Sequence, residues 1–375
     1  MNSAMRRLAA TAMGLGALVS VLSAGAQGRT AGTVFVMSNN ADRNEIIAFQ
    51  RDANGYYEKS HFDTFGRGTG GVNDPLESQG SLTLSADRSL LFAANAGSGD
   101  ITVFRVHRNT LTFSQIVPSG GSQPVSIAQR GNSIYVLNSG GAGSVVGFTV
   151  DQAGHLHRVA KSTVFLSANA TGGASISISP DGKFVAVVER IANKIDIFRI
   201  NPDRTLSTPT ETPSPGAGAF SAQFAPDGRL IVSETGPANI AEASAISSYS
   251  VLSNGSLAAV SQSVATDGAA NCWNAISPDG HRVYASNAGT SNIAGFSIGT
   301  SGELTPLNGT IVGSNPEGST NLDIAISSDG KTLYSLNAKV GSIGVFAIHS
   351  DGTLHEVTQI DGFRQAAGFN GIAAL

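Results

Sequence analysis

The sequence predicts an all-β fold, a seven-bladed β-propeller with four antiparallel strands in each blade. Three observations predict it: a recurring turn motif, an aromatic residue that returns about every fifty residues, and a C-terminal segment that resembles the inner strand of a repeat. Composition agrees, because 41% of the 375 residues are hydrophobic and the 45 Gly have no three-residue period, which excludes a disordered or collagen-like chain.

The turn motif marks the connection between the first two strands of a repeat. Its clearest copies are Ser-Pro-Asp-Gly at 179–182 and 277–280 and Ser-Ser-Asp-Gly at 327–330. Pro presets φ for a tight turn and Gly accepts the left-handed position, so the motif favours a short turn between strands. The flanking segments alternate small or polar residues with apolar ones, which is the period of a strand.

One aromatic residue closes the third strand of each repeat and sets the repeat length. Fifty residues per four-stranded unit is typical of a propeller blade. Seven such aromatics follow one another, and they are Phe49, Phe104, Phe148, Phe198, Tyr249, Phe296 and Phe346.

The two ends of the repeat region predict how the ring closes. The first repeat begins at Thr33 and supplies three strands without an inner one, whereas residues 369–375 match the inner strand of the last repeat at 320–326. We therefore expect the C-terminal strand to complete the first blade, which removes the open sheet edges of a linear array. Residues 27–375 form one propeller domain in this interpretation.

The first 26 residues have the pattern of a secretory signal peptide. Arg6 and Arg7 precede an uncharged apolar stretch at 8–22 that is short for a membrane span, and Ala-Gly-Ala at 24–26 suits cleavage. We expect a mature protein without a membrane span, secreted or periplasmic, exported by the general secretory or the twin-arginine route.

Charge and cysteine content exclude several classes of function. The net charge of −4 argues against nucleic-acid binding through a basic face. The single Cys272 cannot form an internal disulfide or a Cys-based metal site, and the histidines show no metal-ligand spacing. We expect a monomer with no metal and no cofactor, whose partner is a small molecule.

These motifs resemble the secreted branch of the β-propeller lactonase family, which includes relatives of 6-phosphogluconolactonase and carboxymuconate cyclase. The resemblance rests on the turn repeats and on the segments 66–71, 74–81 and 270–273. It implies a lactonase-like hydrolase acting on a small cyclic ester or a sugar-derived ligand. Phosphogluconolactonase-type members carry a Pro-His pair before an inner strand, and the chain lacks that His, so their activity is not carried over. The corresponding positions hold Gly80, Gln123, Ala174, Phe220, Cys272 and Leu322.

The topology predicts a functional site on one face of the ring. The starts of the inner strands, the ends of the second strands and the connections between blades share that face, and long connections are expected at 58–80, 161–173, 208–220 and 261–272, with a further loop at 235–245. The opposite face carries the tight turns and is expected to leave little room for chemistry.

Acidic residues interrupt a series of Asn at the ends of the second strands. Asn287 and Asn337 suit turn capping, but Glu189 and Glu234 replace Asn in adjacent blades. Two carboxylates near the channel mouth predict a general acid–base pair, and Arg190 would stabilise charge on oxygen. A solvated surface role for the two Glu and a surface ion pair for Arg190 remain the alternatives.

Polar side chains at the blade starts and strand ends are expected to bind the substrate. Trp273 is a candidate for stacking on a ring-shaped ligand, with a core plug between blades as the alternative. The predicted substrate-binding residues are Gln79, Gln123, Asn271, Trp273, Asn287, Asn321, Asp323 and Asn337.

Three functions follow from the sequence. The first is a lactonase that hydrolyses or isomerises a cyclic ester at the channel mouth. The second is a non-catalytic propeller that binds a glycan or protein outside the cytoplasm. The third is a metal-dependent, gluconolactonase-like hydrolase that uses Glu, Asp and Asn oxygens.

Overall fold

A computed structural model describes residues 32–52, 57–107, 110–238 and 240–375 of the chain. All strands in this part belong to seven antiparallel sheets arranged as the blades of a ring, which confirms the predicted fold. No helix of sufficient length and apolarity to cross a membrane occurs within these ranges. The predicted signal peptide at 1–26 lies outside the described residues.

Blades 1 to 4 take their strands in the following order from the axis outward. Blade 1 contains β29 (Ile372–Ala374), β1 (Thr33–Met37), β2 (Glu45–Arg51) and β3 (Tyr57–Asp63). Blade 2 contains β4 (Leu82–Leu84), β5 (Leu90–Asn95), β6 (Asp100–His107) and β7 (Thr110–Pro118). Blade 3 contains β8 (Pro124–Arg130), β9 (Ser133–Asn138), β10 (Ser144–Val150) and an outer strand in two pieces, β11 (Leu156–Arg158) and β12 (Val164–Phe165). Blade 4 contains β13 (Gly173–Ile178), β14 (Phe184–Glu189), β15 (Lys194–Arg199) and β16 (Thr210–Pro213).

Blades 5 to 7 repeat the same order. Blade 5 contains β17 (Ala219–Phe224), β18 (Leu230–Glu234), β19 (Ala245–Val251) and β20 (Leu257–Ala265). Blade 6 contains β21 (Asn271–Ile276), β22 (Arg282–Asn287), β23 (Asn292–Ile298) and β24 (Leu304–Ser314). Blade 7 contains β25 (Asn321–Ile326), β26 (Thr332–Asn337), β27 (Ser342–Ile348) and β28 (Leu354–Asp361).

The ring closes by pairing the last strand with the first. β29 runs antiparallel to β1 and places Ala373 opposite Phe35, in the register expected of an inner strand. The prediction that the C-terminal strand completes the first blade is therefore confirmed. Closure pairs the inner edge of β1, which would otherwise be open to another chain.

The hydrophobic core lies between the blades. The seven repeat-closing aromatics all occupy the third strand of a blade, and each is at most 3% exposed. The second and third strands are apolar on both faces because each sheet packs against a neighbour on either side. Burying each of these side chains stabilises the ring by about 1.5–3 kcal/mol.

The two faces of the ring differ in their connections. The turn face carries the tight turns between first and second strands, where the Ser179 hydroxyl donates to Oδ1 of Asp181 at 2.7 Å and Gly182 adopts a φ of 71°. The connection face carries the links between blades and the loops between second and third strands. Parts of the links predicted as loops form the outer strands β3, β12, β16 and β20. Because many residues of these strands are partly exposed, their sequences do not show the apolar–polar alternation by which a strand is predicted.

Candidate functional site

Residues 74–80 cross the axis on the connection face, and we call them the axial plug. The Ser78 hydroxyl donates to the carbonyl of Val125 in blade 3 at 2.9 Å. The backbone N–H of Gln79 donates to the carbonyl of Ala174 in blade 4 at 3.0 Å. Ser78 is 0% exposed. Because the plug precedes blade 2 and bonds to several other blades, it closes this end of the axis.

Trp273 supports the plug from blade 6. Its indole Nε1 donates to the carbonyl of Ser78 at 2.9 Å, and its ring meets Phe220 edge-on with a centroid separation of 5.1 Å. Trp273 is 1% exposed, so no ring face is open to a ligand. The core-plug alternative describes this residue, and the predicted ligand-stacking role does not.

Gln79 and Asp323 meet on the axis beneath the plug. Gln79 Nε2 donates to Oδ1 of Asp323 at 3.0 Å and to the carbonyl of Asn274 at 2.8 Å. Asp323 Oδ1 also accepts from the amide of Ile324 at 3.0 Å, and its Oδ2 accepts from the amide of Ile372 at 3.3 Å. The carboxyl group is therefore positioned by the plug, by its own strand and by the closing strand β29.

An axial channel runs from Gln79 and Asp323 to the turn face. It has two adjoining lobes of about 490 and 230 Å³, with Thr83 and Gln129 on its wall and Ser85 at its mouth. The expectation that the turn face leaves little room for chemistry is therefore wrong. The turns on this face are tight, but they surround the open end of the channel. The plug closes the opposite end.

Two glutamines that the sequence analysis did not single out line the channel. Gln129 is engaged, since its Oε1 accepts from the amide of Ala86 at 2.8 Å. The side chain of Gln223 lines both lobes and makes no hydrogen bond to other residues in the described ranges. Alternate residues of an inner strand face the axis, so this alternation in the sequence could have identified both glutamines as facing the channel.

Asp323 is the one acidic residue among the described residues that line the channel. Burial raises the pKa of Asp323 to about 7, the hydrogen bonds from Ile372 and Gln79 oppose this shift, and the negative charge of Asp74, at the start of the plug, adds to it. A carboxyl group that exchanges its proton near neutral pH is suited to general acid–base catalysis.

Arg190 lies on the other side of the plug. Its Nη2 forms a close ion pair with Oε2 of Glu77, which ties blade 4 to the plug. Nearby, Asn370 Nδ2 donates to Oδ1 of Asp74 at 2.9 Å, and burial, with the charge of Glu77 next in effect, raises the pKa of Asp74 to about 7. Arg190 therefore holds the plug, and it does not face the channel.

Glu189 is buried in blade 4, away from the axis. Its side chain is 0% exposed, Oε1 accepts from the amide of Ser167 at 3.0 Å, and Oε2 accepts from the Ser167 hydroxyl at 2.6 Å. Burial opposes ionisation of Glu189, but hydrogen bonds from Asp196 and Ser167 lower its pKa. The expected position at the channel mouth is wrong, because the side chain turns between strands instead of toward the axis.

Glu189 belongs to a charge cluster in which the side chains of Glu189, Asp196 and Lys194 are largely buried, whereas that of Glu211 is half exposed. Lys194 Nζ lies 2.8 Å from Glu211, 3.5 Å from Asp196 and 3.9 Å from Glu189. Both oxygens of Asp196 lack a donor in the described structure, and burial together with the neighbouring Glu189 raises its pKa. The raised pKa favours the protonated form of Asp196, which can donate a hydrogen bond to Glu189.

Glu234 is also a structural residue. It is 0% exposed, and its carboxylate accepts four hydrogen bonds, from the hydroxyls of Ser214, Ser247 and Ser263 and from the amide of Gly216, at 2.8–3.2 Å. Such a carboxylate is satisfied without water. The structure does not bring Glu234 to the channel mouth or to Glu189.

A shared packing arrangement explains where Glu234 sits. In several blades the last residue of the second strand lies under a glycine of the connection between blades, so close that a Cβ on that glycine would approach its side chain within 2.1–2.5 Å. Glu234 fills in blade 5 the place that Asn fills elsewhere. The pairs are Gly66 with Asn95, Gly121 with Asn138, Gly216 with Glu234 and Gly268 with Asn287.

The remaining predicted substrate-binding residues hold blades together. Four asparagines are 0% exposed, and each donates its side-chain amide within its own blade or to a neighbouring one. Gln123 has a φ of 56° before β8 and accepts at its carbonyl from the amide of Ser139 at 2.9 Å. The donor–acceptor pairs are Asn271 with Ala245 (2.6 Å), Asn287 with Asn292 (2.8 Å), Asn321 with Ser286 (2.7 Å) and Asn337 with Ser342 (3.3 Å).

Metal ligation has no candidate set in the described part of the chain. No group of three or more His, Cys, Asp or Glu there is arranged to hold a metal ion. Cys272 is 8% exposed, and burial raises the pKa of its thiol well above the usual range. The metal-dependent alternative therefore has no ligand set to point to within these ranges.

The described residues form a closed seven-bladed ring with a polar axial channel. The family described as lactonase, 7-bladed β-propeller, matches residues 31–169, 142–241 and 235–368. The chain belongs to this family. The resemblance stated from its motifs is confirmed.

Solved structures with the same fold extend over nearly the whole chain. The periplasmic gluconolactonase of Pseudomonas aeruginosa is 18% identical with a TM-score of 0.67, over 91% of this chain and 98% of that one. A candidate 6-phosphogluconolactonase of Bacteroides uniformis is 19% identical with a TM-score of 0.68, over 91% and 100%. At these identities the likeness shows the fold alone. No protein in the curated set matches the sequence.

Proposed function

We propose that the protein hydrolyses a small sugar lactone in the axial channel, with Asp323 as the general base. Family membership supports the reaction class, and the structurally similar gluconolactonase of Pseudomonas aeruginosa suggests a sugar-derived substrate. The observation that carries the proposal is the position of Asp323. Its carboxyl group borders the channel, and burial raises its pKa to about 7.

The proposed chemistry moves one proton through Asp323. The ionised carboxyl group takes a proton from a water molecule as that water adds to the lactone carbonyl carbon. The ring C–O bond then breaks, and the protonated Asp323 returns the proton to the departing ring oxygen. The product is an open-chain hydroxy acid, and the carboxyl group regains its starting state.

The channel walls support an uncharged, hydroxylated substrate. The Thr83 hydroxyl donates to the carbonyl of Gly80 at 3.0 Å, and Gln129 bonds to Ala86 and Gly131, so both are held in place. Gln223, in contrast, lines both lobes with its hydrogen-bonding capacity open among the described residues. A carbonyl oxygen that gains charge during the reaction requires such a donor. Arg88 at the mouth is the one cation among the described residues that line the channel.

Acid release from a panel of aldonolactones and aryl or alkyl lactones tests the proposal. We expect hydrolysis of at least one aldonolactone, and a loss of about 10²–10⁴-fold in kcat for Asp323→Asn. Asp361→Asn, at the exposed end of β28, is the matched control and should keep full activity. Equal rates for wild type and Asp323→Asn would exclude Asp323 as the base.

The same panel separates the alternatives. A wild-type protein that hydrolyses no lactone would favour the non-catalytic propeller that binds a glycan or protein.

We propose in addition that the protein is exported and acts outside the cytoplasm, as the segment 1–26 suggests. N-terminal sequencing of the mature protein should begin at Gln27, and a start at Met1 in a cytoplasmic fraction would contradict export.

A further inference from the structure

We infer a second binding site, for a sugar acid, in a groove on the connection face between blades 7 and 1. This seam groove has a volume of about 530 Å³ and lies over the place where the ring closes. Its walls come from residues 38–47, 59–61, 70–72 and 362–369. It shares no lining residue with the axial channel and does not depend on the proposed reaction.

The floor of the seam groove is apolar and rigid. Ile47, Phe363 and Phe369 border it and are 3%, 8% and 7% exposed. The rings of Phe363 and Phe369 lie 4.8 Å apart, and Phe363 also meets Phe49 edge-on at 5.0 Å. Packed aromatic rings of this kind form a fixed apolar floor, and their exposed edges can contact the C–H groups of a sugar ring.

One end of the seam groove is cationic. Lys59 Nζ lies 5.9 Å from the centre of the Phe363 ring and donates only to the carbonyl of Gly362, at 3.2 Å. Arg364 is exposed beside it, and neither cation has a carboxylate partner in the described ranges. An ammonium and a guanidinium on one side of a groove are suited to bind a carboxylate.

The other end offers hydrogen-bond acceptors. Arg43 lies 3.3 Å from Glu45 and 3.0 Å from Asp63, so its charge is already balanced, and Nδ1 of His61 lies 3.4 Å from Glu45. Glu45 and Asp42 line this end. They fit hydroxyl donors, and they would repel a second anionic group.

The three parts together define the ligand class. A hydroxylated ring bearing one carboxylate places its charge on Lys59 and Arg364, its C–H groups against the exposed edge of Phe363 and its hydroxyls toward Glu45. Because the walls come from both ends of the repeat region, a bound ligand links blade 7 to blade 1. Binding should therefore raise the thermal stability of the ring.

Titration of the full mature protein with D-glucuronate tests this inference, by calorimetry and by thermal unfolding. We expect binding and a higher Tm with D-glucuronate, and weaker binding of D-glucose, which lacks the carboxylate, and of acetate, which lacks the ring. Lys59→Gln with Arg364→Gln should weaken D-glucuronate binding by about tenfold or more. Lys161→Gln with Lys331→Gln removes the same charge from exposed positions outside the groove and should leave binding unchanged.

Three outcomes would overturn the inference. D-glucuronate fails to bind the wild type, or both double variants weaken binding equally, which would reduce the effect to net charge. The third is loss of binding in Asp323→Asn together with normal binding in Lys59→Gln/Arg364→Gln, which would place the ligand in the axial channel. Retained binding in Asp323→Asn supports the seam groove even if no lactone is hydrolysed.

Discussion

The side-chain amide of Gln79 donates to Oδ1 of Asp323 at 3.0 Å, which joins the segment before blade 2 to the inner strand of blade 7. This contact lies on the ring axis and separates a closed connection face from a channel that opens on the turn face. The same amide reaches the carbonyl of Asn274 in blade 6. One side chain therefore orders the carboxyl group that we assign to catalysis and closes one end of the channel.

Truncating Gln79 should destabilise the ring. Gln79→Ala removes one buried hydrogen bond to Asp323 and one to the carbonyl of Asn274, at a cost of about 1–3 kcal/mol in the free energy of unfolding. Urea unfolding measures this change. Gln365→Ala, at an exposed position, is the control and should stay within about 0.5 kcal/mol of wild type. Equal stability of the two variants would contradict the role of the plug.

Glu234 should affect stability and not the chemical step. Glu234→Gln places an amide nitrogen among the donors of Ser214, Ser247, Ser263 and Gly216, so we expect a loss of about 1–3 kcal/mol in the free energy of unfolding. Lactone hydrolysis per folded molecule should stay at the wild-type rate. A large fall in kcat with unchanged stability would restore Glu234 as a catalytic residue.

The Asp196 cluster should make stability depend on pH. Burial and Glu189 raise the pKa of Asp196 to about 8, with Glu211 adding and Lys194 opposing. The folded chain thus keeps a proton that the unfolded chain loses near its ordinary pKa of about 4. This contribution is complete below about pH 4 and is lost as pH rises to about 8.

The measurement compares wild type with Asp196→Asn. The free energy of unfolding of the variant relative to wild type should rise with pH across this window, because the neutral amide releases no proton. Asp361→Asn should show no such trend. A flat difference for Asp196→Asn would mean that Asp196 is ionised in the fold.

Trp273 should report the state of the plug, because it is the only Trp in the chain and bonds to Ser78. Arg190→Gln breaks the ion pair with Glu77, so we expect stronger acrylamide quenching of Trp273 fluorescence as the plug loosens. Arg229→Gln breaks a similar pair with Asp227 on the turn face and should leave quenching unchanged. Identical quenching in both variants would show that Arg190 does not hold the plug.

The blade architecture was predictable because each blade is specified by short sequence patterns that recur in every repeat. Tight turns need Pro and Gly, strands need alternation, and each blade needs one large aromatic such as Phe198 or Phe346 to fill the space next to its neighbour. The closure by β29 was predictable for the same reason, since an inner strand carries its own pattern wherever it lies in the chain.

The site was harder to predict because it depends on which way side chains turn at strand ends. Glu189 and Glu234 differ from the Asn series in sequence, but both turn into the sheet stack and meet Ser, Gly or Lys partners. The plug is an irregular segment without a strand period, so its path across the axis had no local signal. Of the eleven predicted site residues, only Gln79 and Asp323 border the channel.

The pH dependence of kcat/KM on a hydrolysed aldonolactone tests the assignment of Asp323 most directly. The base form is required, so kcat/KM should rise with pH through a single ionisation near 7 and then level off, following the raised pKa of this carboxyl group. Asp323→Asn should be slow at every pH and lack that ionisation. An unchanged profile in Asp323→Asn, or a wild-type profile that is flat between about pH 5 and pH 8, would contradict the account.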